Sequence, residues 1–430
     1  MSCEAAIEFF SGVPINEDIL DTRIEKIAAT SLSDERHLKF DIAGTEEAID
    51  LSKTYITLKV KVVKVGGGNL DDNVEVGLIN YAGSTMFEKL EIGLGSAMDN
   101  IVNIDGYHYV SYFEAKLMNS DDYKKTSGTL AGYYDDTFKQ FDTLADTNLG
   151  FKARKEMCKK SRTFQLFSRL HSGVLNQPKP LKSQIDMNFE FTLSEPEFFI
   201  MAPALTEQNT QKYQIKILEA HLVIERLLLS KECTIRTEKE FQSTPIEYQF
   251  ERNKIYVKDI DTGLSSINLT DFCNKNELPK FIMCAFIKEN SFSGRHHLNP
   301  FNCIQNKVKS LNLTKNGTSI TGKRLAMDFA NGNFSEAYHQ SLKAFGFWNN
   351  METCSLLPED FFNGTMIYGF DLAPTANGLN YVDQIRQGNM EMEIVFDGDT
   401  DEKTKFIIVN IYDSKISINN LMRIEKNYTS

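Results

Sequence analysis

The sequence predicts an all-β protein built as two sandwich-type halves. Strand-type alternation of apolar and polar residues returns along the whole chain, helical periodicity is sparse, and 430 residues exceed what one ordinary core fills. Hydrophobic residues make up 41% and charged residues 25%, the balance of a water-soluble globular chain.

The alternation is clearest at 50–62, where Ile56, Leu58, Val60 and Val62 interleave with Tyr55, Thr57, Lys59 and Lys61. Period two means a strand with one wet face. Ile185, Met187, Phe189, Phe191 and Leu193 repeat the pattern, as do Met390, Met392, Ile394 and Phe396. Between Tyr213 and Ile224 the apolar phase slips by one near residue 217, which predicts a bulge or a change of sheet. Further strands are expected at 246–250, 254–260, 281–287, 307–313, 366–371, 405–412 and 415–418. Helical signal is confined to 107–118, a basic stretch at 151–170, and 227–241. The longest connection, 119–150, carries Tyr123, Tyr133, Tyr134 and Phe138, so it is read as an ordered excursion packed on something rather than a linker.

The charged stretch 231–243, KECTIRTEKEFQS, is the expected connector between a first unit at 31–230 and a second at 244–430. Residues 1–30, with Pro14, Glu17, Asp18 and only modest apolar spacing of Ile19, Leu20 and Ile24, read as an N-terminal arm outside either sandwich. The opening residues lack a basic n-region and apolar h-region, which points to an intracellular protein. The longest apolar run, 281–287, is far short of the ~20 residues that span a bilayer. Seven scattered cysteines form no C-x-x-C pair and no disulfide framework, so they read as small buried hydrophobes. The net charge of −12 repels nucleic acid except at a local basic patch.

Each chemical motif yields to a simpler reading. Gly317 to Lys323 fits G-x-x-x-x-G-K, but Arg324 stands where a phosphate loop needs Ser or Thr, and Asn316-Gly317 is a strong hairpin signal. Asp397-Gly398-Asp399-Thr400-Asp401 copies the start of a calcium loop, yet Glu402 and Ile408 occupy positions that need Gly and Glu, leaving a solvated turn. His296-His297 suits chelation poorly, because adjacent residues on an extended chain point apart, and reads as an exposed loop pair. The doublets Asp71-Asp72, Asp121-Asp122 and Asp135-Asp136 read as solvated loops. The basic run Lys152, Arg154, Lys155, Lys159, Lys160 and Arg162 is either a solvated helix face or a contact for phosphate or an acidic neighbour. No catalytic, cofactor-binding or metal-ligating residue is assigned, and no enzyme activity or cofactor is expected.

A series of blocks carries a resemblance. Ser31-Leu32-Ser33-Asp34 is followed by Ile49-Asp50-Leu51-Ser52-Lys53-Thr54-Tyr55, by Tyr107 and Tyr109 with Glu114 and Leu117, and by Arg169-Leu170-His171. Lys216-Ile217-Leu218-Glu219-Ala220, Asn299-Pro300-Phe301-Asn302, Ala337-Tyr338-His339, Phe370-Asp371-Leu372 with Pro374, and Gln387-Gly388-Asn389 complete the order. In these blocks the chain resembles the major capsid proteins of Polinton (Maverick) transposable elements and adintoviruses. That resemblance implies two tandem jelly-roll β-sandwiches, a double jelly roll with a few short helices in loops, and a homotrimeric, pseudo-hexameric capsomer. It further implies neighbouring capsomers and a vertex (minor capsid) protein as partners, with the shell enclosing double-stranded DNA that the chain meets only indirectly. The expected place is a virion capsid assembled inside the host cell, with no membrane span and no catalytic residues. The chain departs from the pattern in a compact connection between halves and in the 119–150 loop. The rival readings are a minor capsid (vertex) protein, a carbohydrate-binding sandwich, and a β-rich enzyme with a site assembled from distant residues.

Overall fold

The computed structural model describes residues 16–30, 36–95, 99–348, 353–354, 356–373 and 386–428. Residues 1–15 of the expected arm, the block 31–34 and Pro374 lie outside them.

Among the described residues, sixteen strands build the four main sheets, and a few short strands flank them. The first eight are β1 (Ile19–Ala28), β2 (His37–Ile42), β3 (Ala48–Lys64), β4 (Phe87–Leu94), β5 (Asp99–Asp105), β6 (Phe164–Arg169), β7 (Met187–Leu193) and β8 (Tyr213–Leu229). The next eight are β9 (Ile246–Ile260), β10 (Ser266–Leu269), β11 (Phe281–Lys288), β12 (Val308–Lys315), β13 (Leu325–Ala326), β14 (Ile367–Asp371), β15 (Met390–Phe396) and β16 (Thr404–Ile418). Hydrogen bonding orders the first set as β1-β8-β3-β6 and β2-β7-β4-β5. The second set repeats that order eight strands later, as β9-β16-β11-β14 and β10-β15-β12-β13. Every pair among these strands is antiparallel. Each set is an eight-stranded jelly roll, two four-stranded sheets face to face, so the chain is a double jelly roll.

Alternation places the cores. Ile56, Leu58, Val60 and Val62 of β3 are buried, while Thr57, Lys59 and Lys61 stay partly exposed. The phase slip near 217 is a bulge: the β3–β8 register shifts between Ile217 and Glu219. The Asn316-Gly317 turn is the expected hairpin, with φ of 50° and 79° and Lys315 opposite Thr318, so the G-x-x-x-x-G-K sequence is a hairpin and not a phosphate loop.

Several expectations are corrected. Residues 19–28 are not part of an arm: they form β1, which pairs along β8 and is the first strand of the first roll. The strand goes unnoticed in sequence because it lies at a sheet edge, where both of its faces are largely exposed and no alternation is imposed. The pairs 246–250 with 254–260, and 405–412 with 415–418, are each one continuous strand. The 151–170 stretch divides into helix α2 (Leu149–Cys158), a short 3-10 turn (Lys159–Ser161) and β6. In 227–241, Leu227 to Leu229 still belong to β8, and the helix, α3 (Lys231–Phe241), starts after Ser230, whose Oγ accepts from the Cys233 amide at 3.2 Å. The 107–118 helix is α1 (Tyr107–Leu117), and a further helix, α4 (Ser335–Ala344), was not anticipated.

Both rolls carry their long helical insertion at the same place, between the sixth strand and the one before it. In the first roll it runs from β5 to β6 and holds α1, the 119–150 segment and α2. In the second it runs from β13 to β14 and holds α4 and the short helix Pro358–Phe362.

Candidate functional site at the seam between the rolls

Side chains of unusual chemistry collect where the first roll's insertion meets the second roll. Gly106 turns the chain from β5 into α1 with φ of 76°, a left-handed conformation that favours glycine, and a Cβ there would lie 2.7 Å from Ile255 Cδ1 of β9, which would have to turn aside. Just past the middle of α1, the Glu114 carboxylate accepts from Asn253 Nδ2 of β9 at 2.9 Å and from His171 Nδ1 at 2.9 Å. His171 Nε2 lies 2.9 Å from the Tyr81 hydroxyl, and the His171 amide donates to the Tyr107 hydroxyl at 2.9 Å. With the ring proton on Nδ1 facing the carboxylate, Nε2 accepts from Tyr81.

Hydroxyl, imidazole and carboxylate in that order resemble a nucleophile relay. The surroundings give the arrangement a different use. Tyr81 is wholly buried and burial holds its hydroxyl far above the usual tyrosine range, so the group keeps its proton. His171 is 6% exposed. The three groups act as a hydrogen-bonded strut between α1, the end of β6 and β9. Sequence reasoning had Glu114 and His171 only as members of matched blocks; nothing in spacing shows that residues 57 apart meet.

Aromatic packing extends the strut. Tyr112 stacks on Phe301 with centroids 4.1 Å apart, and Tyr109 lies parallel to Phe292 at 5.7 Å. Asn299 donates from Nδ2 to Asp136 at 3.0 Å and from its amide to Asp142 at 2.7 Å, while Asn302 donates to Asp142 at 2.8 Å. Burial, foremost, raises the Asp142 carboxyl against these donors. The block 299–302 therefore anchors the second roll to the 119–150 segment, which is ordered and packed as its aromatics predict.

Asp71 and Asp72 are solvated as expected, but other polar candidates fall out differently. Asp136 is not solvated: its side chain is 2% exposed and Arg154 Nη2 contacts it at 2.6 Å, with Asn148 Nδ2 at 2.9 Å. Asp135 accepts from Lys116 and from the Tyr133 hydroxyl, each at 2.9 Å; desolvation works against its charge, but Lys116 prevails and holds the carboxyl below its ordinary range. Asp71 and Asp72 pair with Lys64 and Lys160, and Asp121 with Lys125. His296 is also corrected from exposed to buried, with Nδ1 2.8 Å from the Ile200 carbonyl. A polar residue next to a hydrophobic pocket carries no linear signal when its partner comes from another strand.

The basic run is spent within the chain. Arg154 is 1% exposed beside Asp136, Lys155 reaches Glu75 at 2.8 Å and also contacts Asp146, and Lys160 reaches Asp72 at 2.8 Å. Lys152, Lys159 and Arg162 remain on the outside, the first two beside Asp146 and Glu156. A phosphate patch needs unspent cations, and this segment offers few.

The Asp397–Asp401 turn is bound by Lys307, which contacts Asp401 at 2.5 Å, and Lys309, which contacts Asp397 at 4.0 Å. Among the described residues no three His, Cys, Asp or Glu side chains gather as a metal-ligand group, and no helix is long and apolar enough to cross a membrane. A cleft of about 780 Å³ opens beneath α3, lined by Leu181, Leu229, Phe241 and Tyr248. Its Lys182 ammonium is tied to Glu238 at 2.8 Å and lies over the Phe241 ring.

No family model matches the sequence. An uncharacterized protein of Caenorhabditis elegans is 23% identical over 363 residues, spanning 82% of this chain and 83% of that protein. In shape the chain is similar to a chain of the Sputnik virophage structure determined by cryo-EM, with a TM-score of 0.63 and 11% identity over 99% of this chain and 92% of that one. It is similar to the faustovirus major capsid protein, TM-score 0.56 with 7% identity over 95% and 92%. The mavirus major capsid protein gives 0.52 with 10% identity over 100% and 93%. At such identities the likeness is one of fold: the two-roll architecture is that of viral major capsid proteins.

Proposed function

We propose that the chain is a major capsid subunit, hexon-like, and that three copies form a pseudo-hexameric capsomer of an icosahedral shell around double-stranded DNA. The observation that carries this reading is the exact repetition of one eight-strand order within a single chain, bound by a sealed seam. Each chain thereby presents two pseudo-equivalent blocks, and three chains present six, which is what a near-hexagonal tile requires. The fold shared with viral major capsid proteins supports the reading over its whole length. Because strands fill both halves equally, a tandem-roll tile is favoured over a vertex protein.

The residue blocks shared with Polinton and adintovirus capsid proteins support that lineage. Several of them, at 107–117, 169–171 and 299–302, are the seam itself. On this reading the neighbours are other capsomers and a vertex protein, and the place of action is the virion shell, assembled in the host cell. The basic segment at 152–162 is largely neutralised in place, which supports indirect contact with the packaged DNA. Residues 231–243 serve as the connector, and the sealed Tyr81–His171–Glu114 strut serves stability, not catalysis.

Size-exclusion chromatography with light scattering tests the proposal. The expected mass is three times 48.9 kDa, with near-hexagonal particles by negative stain. A monomer that persists across micromolar concentrations would overturn it.

A further inference from the structure

The two middle strands of the second roll's β9-β16-β11-β14 sheet, β16 and β11, are covered on both faces, although Val257 on the edge strand β9 is 38% exposed. On the sheet's outer face Met283, Ala285, Ile407 and Val409 are all fully buried; Ile255 and Asn253 of β9 meet Gly106 and Glu114 of the first roll's insertion, and Phe281 and Gly369 meet Phe345 at the end of the second roll's own α4. Among the described residues the matching sheet of the first roll, β1-β8-β3-β6, has no such cover. At its outer face Phe167 of β6 is 39% exposed, opposite a half-buried Thr57 of β3. Tyr55 is half-buried there as well; Lys26, Lys61 and Arg169 add positive charge, while Lys59 is paired with Glu219 at 2.7 Å.

The second roll's insertion occupies the position of the first roll's covering insertion, yet part of it faces solvent. It holds Trp348, the one tryptophan of the chain, at 55% exposure, and Leu357 at 59%. Between β13 and β14 the sequence carries Asp328, Glu336, Glu352, Glu359 and Asp360 against one lysine or arginine, Lys343, and Glu336 is paired with Lys323 at 3.0 Å. An exposed tryptophan, packed on its inner side against His339, on an insertion of acidic composition matches an uncovered, partly aromatic and basic sheet face.

We infer that the insertion of the second roll, through Trp348 and Leu357, docks on the outer β1-β8-β3-β6 face of the first roll of a second copy, around Thr57 and Phe167. The contact repeats between chains what the seam does within one. It is head-to-tail, and a head-to-tail contact that closes gives a ring. This inference rests on the capsomer reading and specifies its subunit interface.

The test uses full-length chains. Thr57→Arg and, independently, Phe167→Arg break the acceptor face; Trp348→Arg and, independently, Leu357→Arg break the donor. All four sites are at least partly exposed, so each variant should keep the wild-type circular dichroism spectrum. Each alone should lose the wild-type oligomer by light scattering. Mixing an acceptor-broken chain with a donor-broken chain should restore a 1:1 dimer and nothing larger, because one good face and one good insertion remain. Tryptophan emission should be blue-shifted in the wild-type oligomer and red-shifted in Thr57→Arg. If the wild type is oligomeric and these variants remain so, or if mixing restores no dimer, the inference fails and the capsomer reading stands. A monomeric wild type would overturn both.

Discussion

The two rolls share a strand order but treat the outer face of one sheet in opposite ways. In the second roll, β11 and β16 read as near-continuous apolar runs, FIMCAFIK and FIIVNIY, because both their faces are buried: one against the opposing sheet and one on the outer side, where the first roll's insertion meets β9 and the second roll's own Phe345 meets Phe281. In the first roll, the matching β3 reads as strict alternation, with Thr57, Lys59 and Lys61 half in water. What differs is not the fold of the roll but what lies on it. The repeated unit buries one copy of the face and leaves the other half in water, and the hydrophobic pattern records which is which.

Substitutions at matched positions break or sharpen this contrast. On the covered face, Val409→Asp places a carboxylate in a fully buried site with no cation beside it in the sheet, and the cost should exceed about 4 kcal/mol, enough to prevent purification of folded protein. At the seam, Gly173→Ala puts a Cβ 2.1 Å from the Glu251 carbonyl oxygen, so backbone must shift; a loss of about 3 kcal/mol in urea unfolding is expected.

Acid should weaken the seam through His108 of α1. Burial pushes its imidazole down to about 3, and Nδ1 has no partner. The unfolded chain binds a proton there near pH 6.5 and the folded chain does not, so stability falls as pH drops from about 6.5 toward 3, by roughly 1.4 kcal/mol per unit. Comparing wild type with His108→Leu at pH 7 and pH 5 should show about 2 kcal/mol less acid loss in the variant; equal losses would show that His108 is not the group responsible. On the open face, Thr57→Arg should change the stability of the isolated subunit by less than about 0.5 kcal/mol in the same urea assay.

Much of the fold is legible in the sequence because amphipathic strands announce themselves. β3, β7 and β15 alternate, the β8 bulge shows as a phase slip, and the 316–317 hairpin follows from backbone tolerance of positive φ. The misses have one physical cause, partners distant in sequence. Buried Arg252 and Asn253 seemed to interrupt β9, yet Arg252 is held by Glu277 at 2.8 Å and Ser414, and Asn253 by Glu114. Asp136 and His296 looked solvated for the same reason. β1 was missed because an edge strand exposed on both sides has no pattern to read. The seam was visible only as scattered blocks of resemblance, since the contacts that unite Glu114, His171 and Asn253 arise from the fold.

Hydroxyl-radical footprinting read by mass spectrometry tests the contrast most directly, by comparing the wild-type oligomer with the Thr57→Arg chain. Phe167 and Trp348 should be protected in the oligomer and oxidised in the variant, while Met283, on the matching face of the second roll, should be protected in both. Equal oxidation of Phe167 and Trp348 in the two samples would contradict the account.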